Sequence, residues 1–443
     1  MKNYDVIIIG AGPGGIFTAY ELVKLNSALK IGVFEAGYPL KKRRCPIDGV
    51  KIKSCINCKC CSIMSGFGGA GAFSDGKLNS GTKDFRSREV LEELYRAGAP
   101  EEILYRAKPH IGTDKLRGVV KNIRNTIISL GGEVLFSHRL VGIKSEEGCV
   151  CAADIRRPDG TVFTMETNDI VLAVGHSARD TFEMLYAMGV QMSQKPFSIG
   201  ARIEHRQALI DRSQYGSAAG HPALGAADYK LAVHLPNGRA AYTFCMCPGG
   251  QVVAAASEEG GVVVNGMSYF ARDGENANSA LLISVGPGDF GADDPLAGVR
   301  FQREWEHQAF IAGGGDYRAP AQLVGDFLQK KASVSGGNVR PSYKPGVKYT
   351  DLDKCLPGFV ADSLREALPM FGRKIRGFDA PDALLTGVET RSSSPVRIER
   401  GSDCLSSLKG LYPCGEGAGY AGGILSAAVD GMRCAEAVLR DMM

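Results

Sequence analysis

Residues 4–36 leave this chain few folds to choose from. "YDVIIIG" is a continuous apolar, β-branched run, the pattern of a parallel strand covered on both faces. It runs straight into Gly10-Ala11-Gly12-Pro13-Gly14-Gly15, a GxGxxG turn. "GIFTAYELVKLN" follows, with apolar residues at Ile16, Ala19, Tyr20 and Val23, the spacing of a helix with one buried face. A second apolar run, "KIGVFEAG", carries Glu35 and Ala36, and Glu35 stands twenty residues after Gly15. Strand, glycine turn, helix, strand and acid in this order predict a βαβ unit that binds a dinucleotide. Gly10 makes the tight turn, Gly12 lets backbone approach a diphosphate, and Gly15 lets helix pack on strand. Pro13 and Gly14 open the helix, whose N-terminus offers free N–H groups and a positive dipole end to phosphate. Glu35 accepts hydrogen bonds from a ribose diol and would repel a 2′-phosphate.

Composition narrows the class further. A chain of 443 residues has room for two to three domains. Its 57 glycines fall in short runs rather than a repeat, which points to tight loops around a ligand. The net charge of +4 is small and dispersed, so nucleic acid is not an expected partner. The basic run Lys41, Lys42, Arg43 and Arg44 reads either as a solvated loop or as a local anion site. No apolar stretch reaches about 18 residues, so no membrane span is expected. "MKNYDVIIIG" reads as entering a buried strand at once, so a signal peptide is not expected. Thirteen cysteines in such a chain are expected to be reduced thiols in a cytoplasm.

The last forty residues choose among dinucleotides. "LKGLYPCGEGAGYAGGILSAAVDGMRCAEAVL" reads as a short strand, a glycine-rich turn with Gly415 and Glu416, and a long helix that starts after Gly423 at about Ile424. This segment resembles the second FAD fingerprint of the glutathione-reductase-type flavoproteins. The resemblance implies that Glu416 meets the ribityl chain and that the following helix points its N-terminus at the flavin. "GGEVLFSHRLVGI", an expected hairpin at Pro158-Asp159-Gly160, and "NDIVLAVGHSARD" ending a strand near Gly175 resemble the return of the chain to the FAD domain in the same superfamily. There Leu140 and Val141 would lie by the adenine and Gly175 by the diphosphate. At finer grain, "GFGGAGAFSDGKL", "AVGHSARDTF", "RIEH", "FCMCPGG", "NGMS", "ETRSSSPVRI" and "CGEGAGYAGGI" resemble the bacterial FAD-dependent dehydrogenase family. That likeness implies a flavin and a fold but no substrate.

The expected fold is therefore α/β, a discontinuous Rossmann-like FAD-binding domain of the glutathione-reductase type with an inserted α+β substrate domain. The FAD domain takes residues 1–85, 130–195 and 385–443, with a helical insertion at 86–129 and the substrate or cap domain at 196–384. The clusters Gly286-Pro287-Gly288 and Gly313-Gly314-Gly315 lack the strand and acid of a second fingerprint. NAD(P)H would then act only transiently. Reducing equivalents would come from the substrate, from such NAD(P)H or from a redox protein donor.

Cys55, Cys58, Cys60 and Cys61 stand together in "CINCKCC", and three readings stay open. Cys55 and Cys60 have a C-x4-C spacing that resembles a disulfide reductase, although the C-terminal dimerisation domain of those enzymes is not expected after the second fingerprint. Four nearby cysteines also suit zinc or an iron–sulfur site, although adjacent Cys60 and Cys61 are poor geometry for one tetrahedral ion using all four. They also suit thiols in a loop with no chemistry. Cys245 and Cys247 have strand spacing, which puts both on one side of a sheet.

Candidate catalytic residues follow from two further segments. In "SGFGGAGAFSDGKLNSG", Gly69, Ala70 and Gly71 let backbone crowd a planar ligand, and Lys77 supplies positive charge near a reduced flavin. In "GVETRSSSPVRIER", Glu389 and Arg391 sit among small hydroxyls, and Arg391 suits a substrate carboxylate or the flavin edge. His205 is either an acid–base group or a core histidine. The expected activity is hydride transfer between flavin N5 and a small organic molecule. A flavin monooxygenase, or electron transfer through the cysteine cluster to a protein partner, is the alternative.

Overall fold

The computed structural model describes residues 4–47, 51–52, 55–56, 58, 60–79, 81 and 83–443. Strand Val6–Ile9, helix Pro13–Leu25 and strand Ile31–Glu35 form the N-terminal unit. Val6–Ile9 is the middle of a five-stranded parallel sheet, in the order Leu411–Pro413, Asp169–Leu172, Val6–Ile9, Ile31–Glu35, Glu133–Phe136. Side chains alternate along a strand. Val6 and Ile8 therefore enter a core with Phe17, Leu22, Ala428 and Met432, while Ile7 and Ile9 enter a second core with Leu140, Ile155 and Phe182. Cover on both faces is why the run carries no polar residue.

The two covers differ. Helices Pro13–Leu25, Thr113–Ser129 and Ile424–Met442 supply the first core. An antiparallel meander of Arg139–Glu146, Cys149–Arg156 and Val162–Glu166 lines the second. Its second turn is stapled by Asp159, which accepts the Thr161 N–H at 2.9 Å.

A seven-stranded sheet occupies much of residues 197–389. Its order is Ala232–His234, Ala240–Cys247, Asn276–Val285, Phe197–Arg206, Leu384–Glu389, Ala319–Leu323, Val347–Tyr349. Neighbours are antiparallel except for the last pair. Helices Ala297–Ala312 and Gly358–Lys374 pack into its core. The strand Leu384–Glu389 belongs to this sheet through Phe197–Arg206. Cys245 and Cys247 do not share a side of it: the register shifts between Phe244 and Cys247, Cys245 has φ of 44°, and it is exposed while Cys247 is buried. A β-bulge defeats the strand period that the spacing alone implies. No helix among the described residues is long and apolar enough to cross a membrane.

Candidate active site

Four segments meet where the first strand gives way to the first helix. Gly10 has φ of 96°, and a side chain there would run into the Ala173 carbonyl. A Cβ on Gly15 would collide with the Gly10 carbonyl oxygen. At Gly14 the nearest atoms to a Cβ are Cys414 Sγ at 3.3 Å and the Ala427 carbonyl oxygen at 3.4 Å. The opening turn and the final helix are thus in van der Waals contact. Gly12 differs: its φ is −77° and the nearest atom to a Cβ would be Gly69 Cα at 3.9 Å. Glycine is not needed there for the fold, so the open side of Gly12 is available to a ligand.

The first helix begins bare. Gly12 is its N-cap without a side-chain cap, no acid stands in its first turn, and the Ile16 N–H is bonded to Gly12. Its uncapped donors and positive dipole end suit phosphate. Glu35 completes this side: Oε2 accepts the Ala11 N–H at 2.8 Å and Oε1 the Gly37 N–H at 2.7 Å. Each carboxylate oxygen keeps acceptor capacity for a sugar hydroxyl. Ala36, next in the chain, is exposed.

The 66–71 segment closes over the turn. Gly68 donates to the Ala11 carbonyl at 2.7 Å, and a Cβ on Gly69 would lie 3.0 Å from Gly12 Cα. A Cβ on Gly71 would lie 3.2 Å from Ile424 Cγ1, and Ala70 opens the short 3-10 turn between them. Arg43, fully buried, holds this segment by donating to the carbonyls of Ser62, Ile63, Gly66, Phe67 and Gly69. Burial lowers its pKa to about 10. Of the basic run, Arg43 is therefore neither solvated nor open to an anion. Lysine lacks the planar fork that reaches several carbonyls at once. Arg43→Lys is expected to leave buried acceptors unpaired and to cost about 2–4 kcal/mol, read as a drop in the urea midpoint.

The C-terminal segment supplies the opposite wall. Cys414 donates its N–H to Leu172 at 3.0 Å, Gly415 has φ of 75°, and a side chain on Gly417 would strike the Gly175 backbone, itself at φ of 76°. Gly423 begins the final helix without a side-chain cap, and no acid stands in that first turn either. Glu416 lies between these two close approaches. Its side chain is 28% exposed, and burial raises its pKa to about 7 against the pull of Lys195. His176 Nε2 is 3.9 Å from Glu416 Oε1. Burial, then the charges of Arg391 and Arg179, lower that imidazole to about 4, so it is neutral at pH 7. A cleft of about 420 Å³ opens beside this wall, lined by Lys195, Ser393, Tyr420, Gly422 and Ser426 among others.

The Glu416 shift has a testable sign. The unfolded chain releases this proton near 4.5 and the ligand-free fold near 7, so stability is full below pH 4.5 and falls as pH rises through 7. Glu416→Gln is expected to flatten that slope and to stabilise the ligand-free protein at pH 8 by about 1–3 kcal/mol. Tm measured from pH 4 to 8 reads the difference.

Two ionic networks stand behind the walls. In one, Lys77 pairs with Asp75 at 3.0 Å and donates to the Met246 carbonyl. Nearby, fully buried Arg202 reaches Glu389 at 2.9 Å, Asn278 at 2.8 Å and the Cys245 carbonyl. In the other, buried Glu306 receives both Arg179 (2.6 and 2.9 Å) and Arg391 (2.7 and 3.0 Å). Burial opposes its charge, but Arg391 and Arg179 hold its pKa at about 2. Arg391 also donates to Ser177 at 3.0 Å, and Ser177 adjoins His176, 3.2 Å from its Nδ1.

Direct approaches thus link the glycine turn with Glu35, Gly69 and the Cys414 and Ala427 of the C-terminal segment, Gly71 with Ile424, and Gly175 with Gly417, the neighbour of Glu416. Lys77, Cys245, Cys247, Arg202 and Glu389 form one neighbouring group, and Arg391 joins His176 in another. His205 is elsewhere: it is buried, its Nε2 lies 2.7 Å from the Phe378 carbonyl, and burial lowers it to about 4. Leu140 is buried in the core beneath the meander and Val141 is half-buried beside it. Sequence reading missed Arg43, His176, Arg179, Arg202 and Glu306 as site-building residues. The runs "AVGHSARD" and "RIEH" hold His176, Arg179 and Arg202, but their partners outside those runs lie 43 to 240 positions away.

Residues 196–392 match the family described as FAD-dependent protein, C-terminal domain-like. That family's description and the dinucleotide cradle together support FAD as the cofactor. The chain is 49% identical over 435 residues to an uncharacterized protein of Clostridium beijerinckii, covering 98% of this chain and 80% of that one. The chain belongs to the same family as that protein. Among solved structures it is similar to the flavin-dependent brominase Bmp2 (13% identity, 99% of this chain and 79% of that one, TM-score 0.45). It is also similar to a geranylgeranyl bacteriochlorophyll reductase-like protein of Thermoplasma acidophilum (15%, 100% and 79%, 0.43). A third is NikD, an amino acid oxidase of nikkomycin biosynthesis (13%, 100% and 95%, 0.43).

Proposed function

We propose that this flavoprotein is an oxidoreductase that transfers hydride between flavin N5 and a small organic molecule, on a discontinuous FAD domain of the glutathione-reductase type. In this reading residues 1–85, 130–195 and the chain after Glu389 build the FAD domain, 86–129 are its helical insertion, and 196–389 are the substrate domain, because strand Leu384–Glu389 pairs with Phe197–Arg206 and not with the parallel sheet. One observation carries it: Gly12, Gly69, Gly71 and Ile424 approach one another between two bare helix N-termini, with a carboxylate at each end. A long anionic nucleotide satisfies all of these at once.

The residues would divide the work. Gly10 to Gly15 and the first helix hold the diphosphate, and Glu35 with Ala36 the adenosine ribose. Leu140 and Val141 flank the adenine, and Gly175 and Gly415 shape the path. Glu416, Gly423 and Ile424 meet the sugar-alcohol arm and ring, with Gly69 to Gly71 on the other side. FAD supplies the two-electron chemistry when bound. Lys77 holds positive charge near the ring, Glu389 keeps Arg202 in place beneath it, and Arg391, fixed by Glu306, orients the hydroxyls of Ser177 and Ser257 (3.0 and 2.6 Å). Neutral His176 accepts a proton more readily than it donates one. His205 is placed as a core histidine. NAD(P)H, if used, acts transiently, and the protein works in the cytoplasm without nucleic acid or membrane.

The anaerobic protein, titrated with panels of small alcohols, amines, hydroxy acids and enoates, is expected to bleach with one class and recover with an acceptor. A holoprotein that reacts only with protein donors would overturn hydride transfer while leaving FAD binding intact.

A further inference from the structure

Beside the loop cysteines the fold places a thiol that their run in the sequence leaves out. Arg43 donates to the carbonyl of Ser62 at 2.9 Å and of Ile63 at 2.6 Å. This stitches the chain two residues before Cys45 to the chain directly after Cys61. The Cys61 carbonyl accepts the Ser65 N–H at 2.9 Å, which turns the chain there. Half-buried Cys45 has the thiols of Cys61, Cys55 and Cys58 near it. Cys55, Cys45 and Cys61 are likewise the thiols within reach of the buried Tyr343 hydroxyl. Cys60 has different surroundings: besides Cys61, it has Glu35, Ser65 and Arg139 about it.

Exchanging Cys60 for Cys45 changes the chemistry of the set. Cys55, Cys58 and Cys61 form a C-x2-C-x2-C run, and Cys45 is followed by Pro46. Three cysteines at that spacing with a distant Cys-Pro are the ligand pattern of a bacterial ferredoxin cluster. The adjacency of Cys60 and Cys61 no longer matters, because only one of them is a ligand. Spacing also separates a cluster from a single ion. Zinc holds thiolates at about 2.3 Å, which crowds four sulfurs within about 4 Å of one another. Among the described residues the set at such spacing is Cys414, Asp430 and Cys434, all ligand atoms within 4.8 Å. There Arg400 already donates to Asp430 at 2.5 Å and to Cys434 Sγ at 3.4 Å, filling the place of a cation. Cys45, Cys55, Cys58 and Cys61 are not a set at that spacing, and a group with iron and sulfide between its ligands does not require it.

We propose that Cys45, Cys55, Cys58 and Cys61 are the four ligands of an iron–sulfur cluster of the four-iron type. Its loop continues directly into the 66–71 segment over the nucleotide cradle. The cluster transfers one electron and no atoms at a time. Two such electrons from an external one-electron carrier protein, with one proton from solvent, convert FAD to its anionic reduced form. Cluster binding itself does not depend on the flavin.

The test uses the full chain, purified anaerobically and reconstituted with ferrous iron and sulfide, with iron, sulfide, zinc and FAD counted per chain. The wild type is expected to hold about four irons and four sulfides, with a paramagnetic signal after dithionite reduction. Cys45→Ala and Cys58→Ala are expected to lose iron more than tenfold while keeping FAD, which reports that they fold. Cys60→Ala is expected to keep its iron. Wild type without iron after reconstitution, one zinc per chain in place of iron, or iron lost from Cys60→Ala but kept by Cys45→Ala would each overturn the assignment. Because FAD is counted separately, a chain with FAD and no iron rejects the cluster without touching the flavoprotein reading.

Discussion

Glu306→Ala is expected to destabilise the protein by about 3–5 kcal/mol, the scale for breaking a buried ion pair from one side. Glu306 is 2% exposed and shared by two guanidiniums that are themselves almost fully buried. Removing it leaves Arg179 and Arg391 as neighbouring buried cations. Arg179 keeps Glu258 and Gln302, and Arg391 keeps only the hydroxyls of Ser177 and Ser257. Thr390 Oγ1 and the Gln302 amide, which bond to Glu306 and to the Thr390 carbonyl, lose their fixed frame as well. Equilibrium unfolding in urea reads the loss. Arg179, Glu306 and Arg391 lie on three segments far apart in the chain, so the damage should be global. The same carboxylate makes the protein acid-sensitive. Its folded pKa of about 2 lies below the ordinary 4.5, so its stabilisation is complete above about pH 4.5 and is lost as pH falls through 2. Glu306→Ala should unfold with a weaker pH dependence in that window. A change below about 1 kcal/mol would mean that the two arginines do not depend on this carboxylate.

Gly12→Asp is expected to abolish flavin binding while leaving the ligand-free fold as stable as before, or more so. Gly12 has φ of −77° and ψ of −176°, an ordinary N-cap conformation, with nothing nearer than 3.9 Å to a Cβ. Aspartate is among the best N-caps, worth up to about 1 kcal/mol over glycine where the first donors are bare. The same carboxylate would occupy the diphosphate position and repel it. Loss of those phosphate contacts plus repulsion should weaken FAD by 10³-fold or more, about 4 kcal/mol. Purified variant should be colourless, with a raised Tm against ligand-free wild type. Gly15→Ala is the contrasting control, because its Cβ collides with the Gly10 carbonyl and should unfold the unit itself.

Local chemistry was legible in the sequence. The apolar run at Val6–Ile9, the glycines and Glu35 announce themselves because their partners lie within about thirty positions. The return of Leu411–Pro413 to the parallel sheet could be read because strand, acid and helix recur there as a compact pattern. Long-range polar pairing could not. Arg43 looks like one of four interchangeable basic residues until the fold turns the 62–69 carbonyls toward it. Glu306 is an unremarked acid in an amphipathic helix, and its arginines are 127 and 85 positions away. Cys245 and Cys247 mislead because the strand period assumes a regular ladder, which a residue in the left-handed region interrupts.

The central claim is that one FAD lies between the opening glycine turn and the Glu416 segment. Heat-released cofactor from purified protein, identified by mass and counted per chain after incubation with FAD or FMN, tests it. One FAD per chain, and no FMN, is the expected result, because the adenosine diphosphate half carries the contacts with Gly10 to Gly15 and Glu35. A folded chain that binds neither flavin, or that takes FMN as well as FAD, would contradict it.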